Sequence, residues 1–167
     1  IRWSRQRIRR LQTLYIRKGG YLLEHLLGLW EIKWHSRSVP DGRTGTWHFS
    51  KYTSEGITGI LSQWCCPGME RDTTLPLPVD EGTVLFTLLP VMGWVGTMLF
   101  QNGSLGSVVQ DKNQSDDLTF LYPSIPDSRF HFSARQTEGF EWFYEEYEDG
   151  HWIRREWIVA KRINDKM

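Results

Sequence analysis

Phe140-Glu141-Trp142-Phe143-Tyr144-Glu145-Glu146-Tyr147-Glu148 runs into Asp149-Gly150 and returns as His151-Trp152-Ile153-Arg154-Arg155-Glu156-Trp157-Ile158-Val159-Ala160-Lys161. Two aromatic stretches flank an Asp-Gly pair, which accepts positive φ at both central positions of a two-residue hairpin turn. Such a turn fixes the register. It sets Trp142 opposite Trp157, Phe140 opposite Val159 and Tyr147 opposite Trp152, and it pairs Glu145 with Arg154 across the strands. Phe140, Trp142, Trp157 and Val159 then share one face, the expected core face. Glu141, Glu145, Glu146, Glu148 and Asp149 make the hairpin acidic.

The same signals recur upstream. Leu29–Ser38 has period two and meets Val39-Pro40-Asp41-Gly42, a turn in which Pro fixes φ and Gly takes the left-handed position. The chain returns as Thr44–Tyr52. Residues 54–82 hold many Gly and Pro and read as a long loop with one short strand near Ile57–Trp64. Thr83–Leu89 and Trp94–Gln101 follow. Asn102-Gly103 predicts a hairpin that pairs Phe100 with Leu105 and Thr97 with Val108. Leu118–Tyr122 and Arg129–Arg135 complete the strands before the last hairpin. Residues 3–18 carry Ile8, Leu11 and Leu14/Tyr15 at helical spacing, and Tyr21–Leu27 reads as a second, short helix that Gly28 ends.

The sum is a mainly β chain: an N-terminal helix, then about eight antiparallel strands joined in sequence order. A twisted meander of that length closes into a barrel, which removes its edges. Residues 1–27 form a basic helical arm and residues 28–167 a single barrel domain. The longest apolar runs, such as Val84–Val91, are too short for a membrane-spanning helix.

Charge is split along the chain. Residues 1–20 hold seven Arg or Lys and no Asp or Glu, whereas the rest holds thirteen basic and twenty acidic side chains, 13 − 20 = −7. The formal zero of the whole chain hides a cationic arm on an acidic body. Such an arm, with Arg5, Arg7, Arg9 and Arg10 at its centre, seeks an acidic surface, a nucleic acid, a membrane or the body itself. An acidic body repels a phosphate backbone, which argues against a dedicated nucleic-acid domain. Arg-rich, acid-free leaders can be remnants of organelle targeting, plastid or mitochondrion, and a surface helix packed by its apolar side is the other, favoured reading; an intracellular setting is expected.

No catalytic constellation stands out. Cys65-Cys66 are vicinal beside a turn at Pro67-Gly68, which excludes a disulfide framework and reads as two ordinary thiols in a reducing compartment. His35 and His48 would face each other across a two-residue Asp41-Gly42 turn, but a Gly bulge moves Trp34 into that place, and no third ligand has metal-site spacing. Metal binding is not expected. The carboxylates of residues 138–149 sit on a hairpin tip, which is ordinarily a solvated face.

Gly28-Leu29-Trp30, where a short helix meets the first strand, resembles the Gly-x-Trp signature of lipocalins and the wider calycin group. The likeness implies a barrel plugged at one end by Trp30, with an Arg from near the last strand packed over it. Arg155 or Arg162 could fill that place, and Arg155 is the assignment taken. Among calycins, the S-type phycobiliprotein lyases are similar in having a helix before Gly-x-Trp, and Trp94-Val95-Gly96-Thr97-Met98 and Arg154-Arg155-Glu156-Trp157 resemble their strands. Their Ser-x-Arg-Thr-x-His-His stretch is not matched by Trp34-His35-Ser36-Arg37-Ser38. The ending, Gly150-His151-Trp152-Ile153-Arg154-Arg155, is also similar to the closing strands of the NTF2-like cone.

Nine Trp exceed what a core of this size needs. With the resemblance, they imply non-catalytic binding of an apolar or pigment-like small molecule, with a bilin chaperone or lyase as the bound on any catalysis. No cofactor is required, and a tetrapyrrole-like ligand is the extreme of size. The expected lining is Trp34, Trp47, Phe49, Trp94, Phe100 and Trp142. The alternative is a non-catalytic subunit or assembly factor of an organellar complex, contacting partners through the arm and the acidic hairpin.

Overall fold

A computed structural model of the chain describes residues 21–55, 57–70, 81–99, 105–113, 118–134 and 139–163. The helix expected over 3–18 and the side chain of Phe100 lie outside those residues. A short helix, α1 (Tyr21–His25), precedes ten strands. They are β1 (Gly28–Ser36), β2 (Arg43–Ser54), β3 (Ile57–Cys65), β4 (Glu81–Leu89), β5 (Gly93–Leu99), β6 (Leu105–Gln110), β7 (Leu118–Tyr122), β8 (Ile125–Ala134), β9 (Gly139–Glu148) and β10 (His151–Arg162). Each pairs antiparallel with its neighbour in sequence, and β10 pairs with β1 to close the barrel. Closure leaves no strand edge to be covered.

Alternation produces the interior. In β1 the buried residues are Trp30, Ile32, Trp34 and Ser36, whereas Leu29, Glu31 and Lys33 are exposed. The same period places Trp47 and Phe49 of β2 and Phe140, Trp142 and Tyr144 of β9 inside. A one-residue slip would turn all of them to solvent, so burial itself pins the register.

Several sequence expectations change in detail. Residues 54–82 begin with a full strand, β3, paired along its length with β2. Gly and Pro mark the residues after β3, and the β-branched run before them is long enough to pair. Leu29, not Trp34 or His35, faces His48, because six residues, 37–42, connect β1 and β2. Leu99 faces Leu105 and Gly96 faces Val108, one residue off the register that Asn102-Gly103 predicts, and residues 100–104 between them lie outside the described residues. Among the described residues the one helix stands before β1, and no helix separates the early strands as in the NTF2-like cone.

The last hairpin keeps its expected register only near the tip. Tyr147 faces Trp152 and Glu145 faces Arg154, but a bulge between Arg154 and Glu156 then shifts the pairing. Trp142 therefore faces Ile158 and Phe140 faces Ala160. Trp157 turns outward, where its ring stacks on His35 with centroids 5.0 Å apart. The extra residue is Arg155, and the bulge aims its guanidinium at Glu146 (3.1 Å) and at Glu148.

Candidate functional site

Trp30 packs at the end of the barrel where β1 begins, beneath α1 and Arg162. The Trp30 indole N–H donates to the Leu26 carbonyl at 2.6 Å, and the ring meets Phe140 edge-on at 4.9 Å. The Arg162 guanidinium lies 4.2 Å over the Trp30 ring, within cation–π range. It also donates to the carbonyls of Leu27 (2.7 Å) and His25 (3.0 Å), satisfying groups that the short helix leaves open. Gly28 has φ of +123°, and a Cβ there would stand 2.7 Å from an Arg162 nitrogen. Only glycine meets both demands. Arg162, not Arg155, thus packs on the Gly-x-Trp element. Arg155 is held at the opposite end by the bulge and its two glutamates.

Between this plug and the far rim the interior is aromatic. Trp47 is its centre, with ring centroids 5.1 Å from Phe49, 5.6 Å from Phe132, 6.0 Å from Trp64 and 6.2 Å from Trp142. Its indole N–H donates to the buried Ser62 hydroxyl at 2.7 Å. Beside it lies an apolar cavity of about 30 Å³, lined chiefly by Trp34, Trp47, Trp64, Phe86, Phe130 and Trp142, with Ser62 the polar exception. That volume suits one or two waters, whereas a drug-sized ligand needs several hundred Å³. A tetrapyrrole would enter only with displacement of wall side chains.

Of the residues named from the sequence, Trp34, Trp47 and Trp142 stand on the cavity wall. Phe49 is buried beneath Trp47, and Trp94 is buried outside the lining, its backbone N–H donating to the Gln110 side chain at 3.0 Å. Trp64, Phe86, Phe130 and Phe132 are lining residues that sequence reasoning did not choose. Their signal was alternation: each lies two residues from a buried position of its own strand, Ser62 for Trp64, Val84 for Phe86 and Ser128 for Phe130. Trp64 depends on Gly82, where a Cβ would fall 2.0 Å from the indole ring. The Trp64 N–H is buried with no hydrogen-bond acceptor among the described residues.

The outer face carries the ionisable groups. Glu145 accepts from Arg129 at 2.8 Å, its partner on β8, while Arg154 lies 3.6 Å over the Phe143 ring. The expected Glu145–Arg154 ion pair is replaced because Arg129 reaches the carboxylate from the other neighbouring strand. Burial would lower the Arg155 pKa, but the hydrogen bonds and charge of Glu146, with the charge of Glu148, outweigh it and hold the guanidinium above its ordinary value. Three of the hairpin's carboxylates, Glu145, Glu146 and Glu148, are thus held by arginines within the fold. Cys65 is exposed and Cys66 buried, both as free thiols. Among the described residues no three His, Cys, Asp or Glu gather as a metal site, and no helix is long and apolar enough to cross a membrane.

No protein-family model and no curated protein sequence matches this chain. The closed ten-stranded antiparallel barrel is compatible with a lipocalin-like barrel.

Proposed function

We propose that the chain is a non-catalytic binding barrel for a small apolar molecule, held between Trp34, Trp47, Trp64 and Trp142. The observation that supports this most is the cavity among these tryptophans, with one indole N–H on its wall that lacks an acceptor among the described residues. An apolar ligand with one acceptor atom would satisfy that donor, whose burial otherwise costs about 1–3 kcal/mol. The ligand gains room by movement of Trp64 and Met98. Met is adaptable and Trp64 is only partly buried, so both are suited to yield. Larger pigments require more of the wall to move and are the outer limit of this class.

The test uses native mass spectrometry of protein purified from its own source, together with titration of the full chain by 1-anilinonaphthalene-8-sulfonate. A small-molecule adduct, or fluorescence enhancement that weakens in Trp64→Phe, which keeps an aromatic wall and removes the N–H donor, is the expected result. A clean apo mass with no probe uptake by either protein would overturn the reading.

A further inference from the structure

Toward the β9–β10 hairpin the wall of the cavity changes character within one step. On β1 the lining Trp34 gives way to Ser36, the next inward position, and on β10 Ile158 gives way to Glu156. On β9 Trp142 gives way to Tyr144, and on β8 Phe130 gives way to Ser128. These four strands are consecutive in the barrel. All four polar residues are buried: Ser36, Tyr144 and Glu156 are 0% exposed and Ser128 is 3% exposed. Burying polar groups costs free energy, and an apolar core has no need of them. Convergent polar groups at the end of an apolar pocket are what orients a bound small molecule.

The layer is joined and acidic. The Tyr144 hydroxyl donates to Glu146 at 2.9 Å and lies 3.2 Å from the Ser128 hydroxyl. The bulge in β10 sets Arg155 and Glu156 on the same, inward side of the strand, and Arg155 donates to Glu146 and Glu148. Glu146, Glu148 and Glu156 thus stand against one guanidinium, 1 − 3 = −2. Arg43, the inward position of β2 at this end, is exposed and donates to the Gly68 carbonyl at 3.3 Å. Counting it leaves the sum negative, 2 − 3 = −1. Arg37 and Asp41 cancel in the β1–β2 connection, and Asp149 at the hairpin tip adds a further acid.

We infer, on the reading of the cavity as a binding site, that its ligand is an apolar amine. The apolar body lies among the tryptophans and the ammonium group stands at the Glu146, Glu148 and Glu156 layer. Charge-assisted hydrogen bonds are strong in such a water-poor setting, and the indole faces beneath attract a cation as well. A carboxylate head would meet three carboxylates and compete for a guanidinium that already has two partners. A neutral head would gain no charge pairing. An acidic mouth also draws cations toward the cavity from solution.

Three probes with one apolar body separate these cases: benzylamine, benzyl alcohol and benzoate. Each is titrated into the full chain at neutral pH and followed by the chemical shifts of the tryptophan indole N–H groups. Benzylamine is expected to bind about tenfold more tightly than benzyl alcohol, with benzoate weakest. Glu146→Gln should bring benzylamine to within about threefold of benzyl alcohol and leave benzyl alcohol unchanged. If Glu146→Gln loses the cooperative melting transition, Glu148→Gln takes its place, because that side chain is half exposed, with an expected loss of about threefold for the amine alone. Equal binding of the three probes, tightest binding of benzoate, or an amine preference that survives these substitutions would overturn the inference and leave the cavity reading standing. Absence of binding by all three would overturn both.

Discussion

At the scale of single residues, the barrel depends on polar atoms satisfied inside an aromatic core. Trp30 combines ring burial, an indole bond to Leu26 and the Arg162 cation, so it cannot be truncated cheaply. Trp30→Ala is expected to lower unfolding free energy by about 3–5 kcal/mol in denaturant titration. A loss under about 1 kcal/mol, the level of a surface change, would remove Gly-x-Trp as the plug. Ser62 is a smaller case of the same rule. Its hydroxyl accepts the Trp47 N–H in a fully buried position, so Ser62→Ala strands a donor at the cavity wall. A cost of about 1–3 kcal/mol follows, with a changed tryptophan emission spectrum. An unaltered spectrum and stability would mean that water or another acceptor replaces Ser62.

At the scale of elements, alternation was legible and bulges were not. The sequence named Trp34, Trp47 and Trp142, which stand on the cavity wall, as lining candidates while leaving the inward face of each strand open, since several strands are aromatic on both faces. It missed Arg155 as a bulge, since Arg154-Arg155-Glu156 carries no glycine to signal an extra residue, and the fault then reversed Trp157 and Ile158. Arg162 was open as an alternative, and only the exact end of β10 decides that it reaches Trp30. The bulge itself is testable. Arg155→Ala keeps the extra residue and removes the pairs with Glu146 and Glu148, a loss of about 1–2 kcal/mol. Deleting Arg155 leaves Glu156 opposite Tyr144, Trp157 opposite Phe143 and Ile158 opposite Trp142, so it should cost about as much as Arg155→Ala, whereas Arg155 kept with the pairing forced regular would turn Trp157 inward. A deletion that costs several kcal/mol more than Arg155→Ala would show that the twist of the bulge itself is needed for the barrel to close. The Arg155 pKa is raised in the fold, so its stabilisation is complete below the unfolded value and fades only as pH rises through the folded one. The Arg155→Ala loss should therefore stay constant across the neutral range.

At the scale of the whole molecule, closure joins the first strand to the last. Trp30 pairs with Arg162 and Ser36 with Glu156, so the barrel is complete only when both ends of the described fold are in place. The meander was legible because nearly every strand has a turn signal beside it. Closure was inferred from strand number and the cost of edges, and no local signal encodes the β1–β10 pair. Long-range pairing of this kind makes folding slow and cooperative. Ending the chain at Glu156 removes Ile158 and Ala160 from the core and Arg162 from the plug, and it leaves β1 and β9 with open edges. The truncated chain should lose its sharp thermal transition and aggregate through those edges, whereas ending at Ile163 should preserve both transition and solubility. If the chain ending at Glu156 stayed monomeric with a cooperative transition, the sheet would be stable when open, and closure by β10 would be a consequence of the fold instead of its condition.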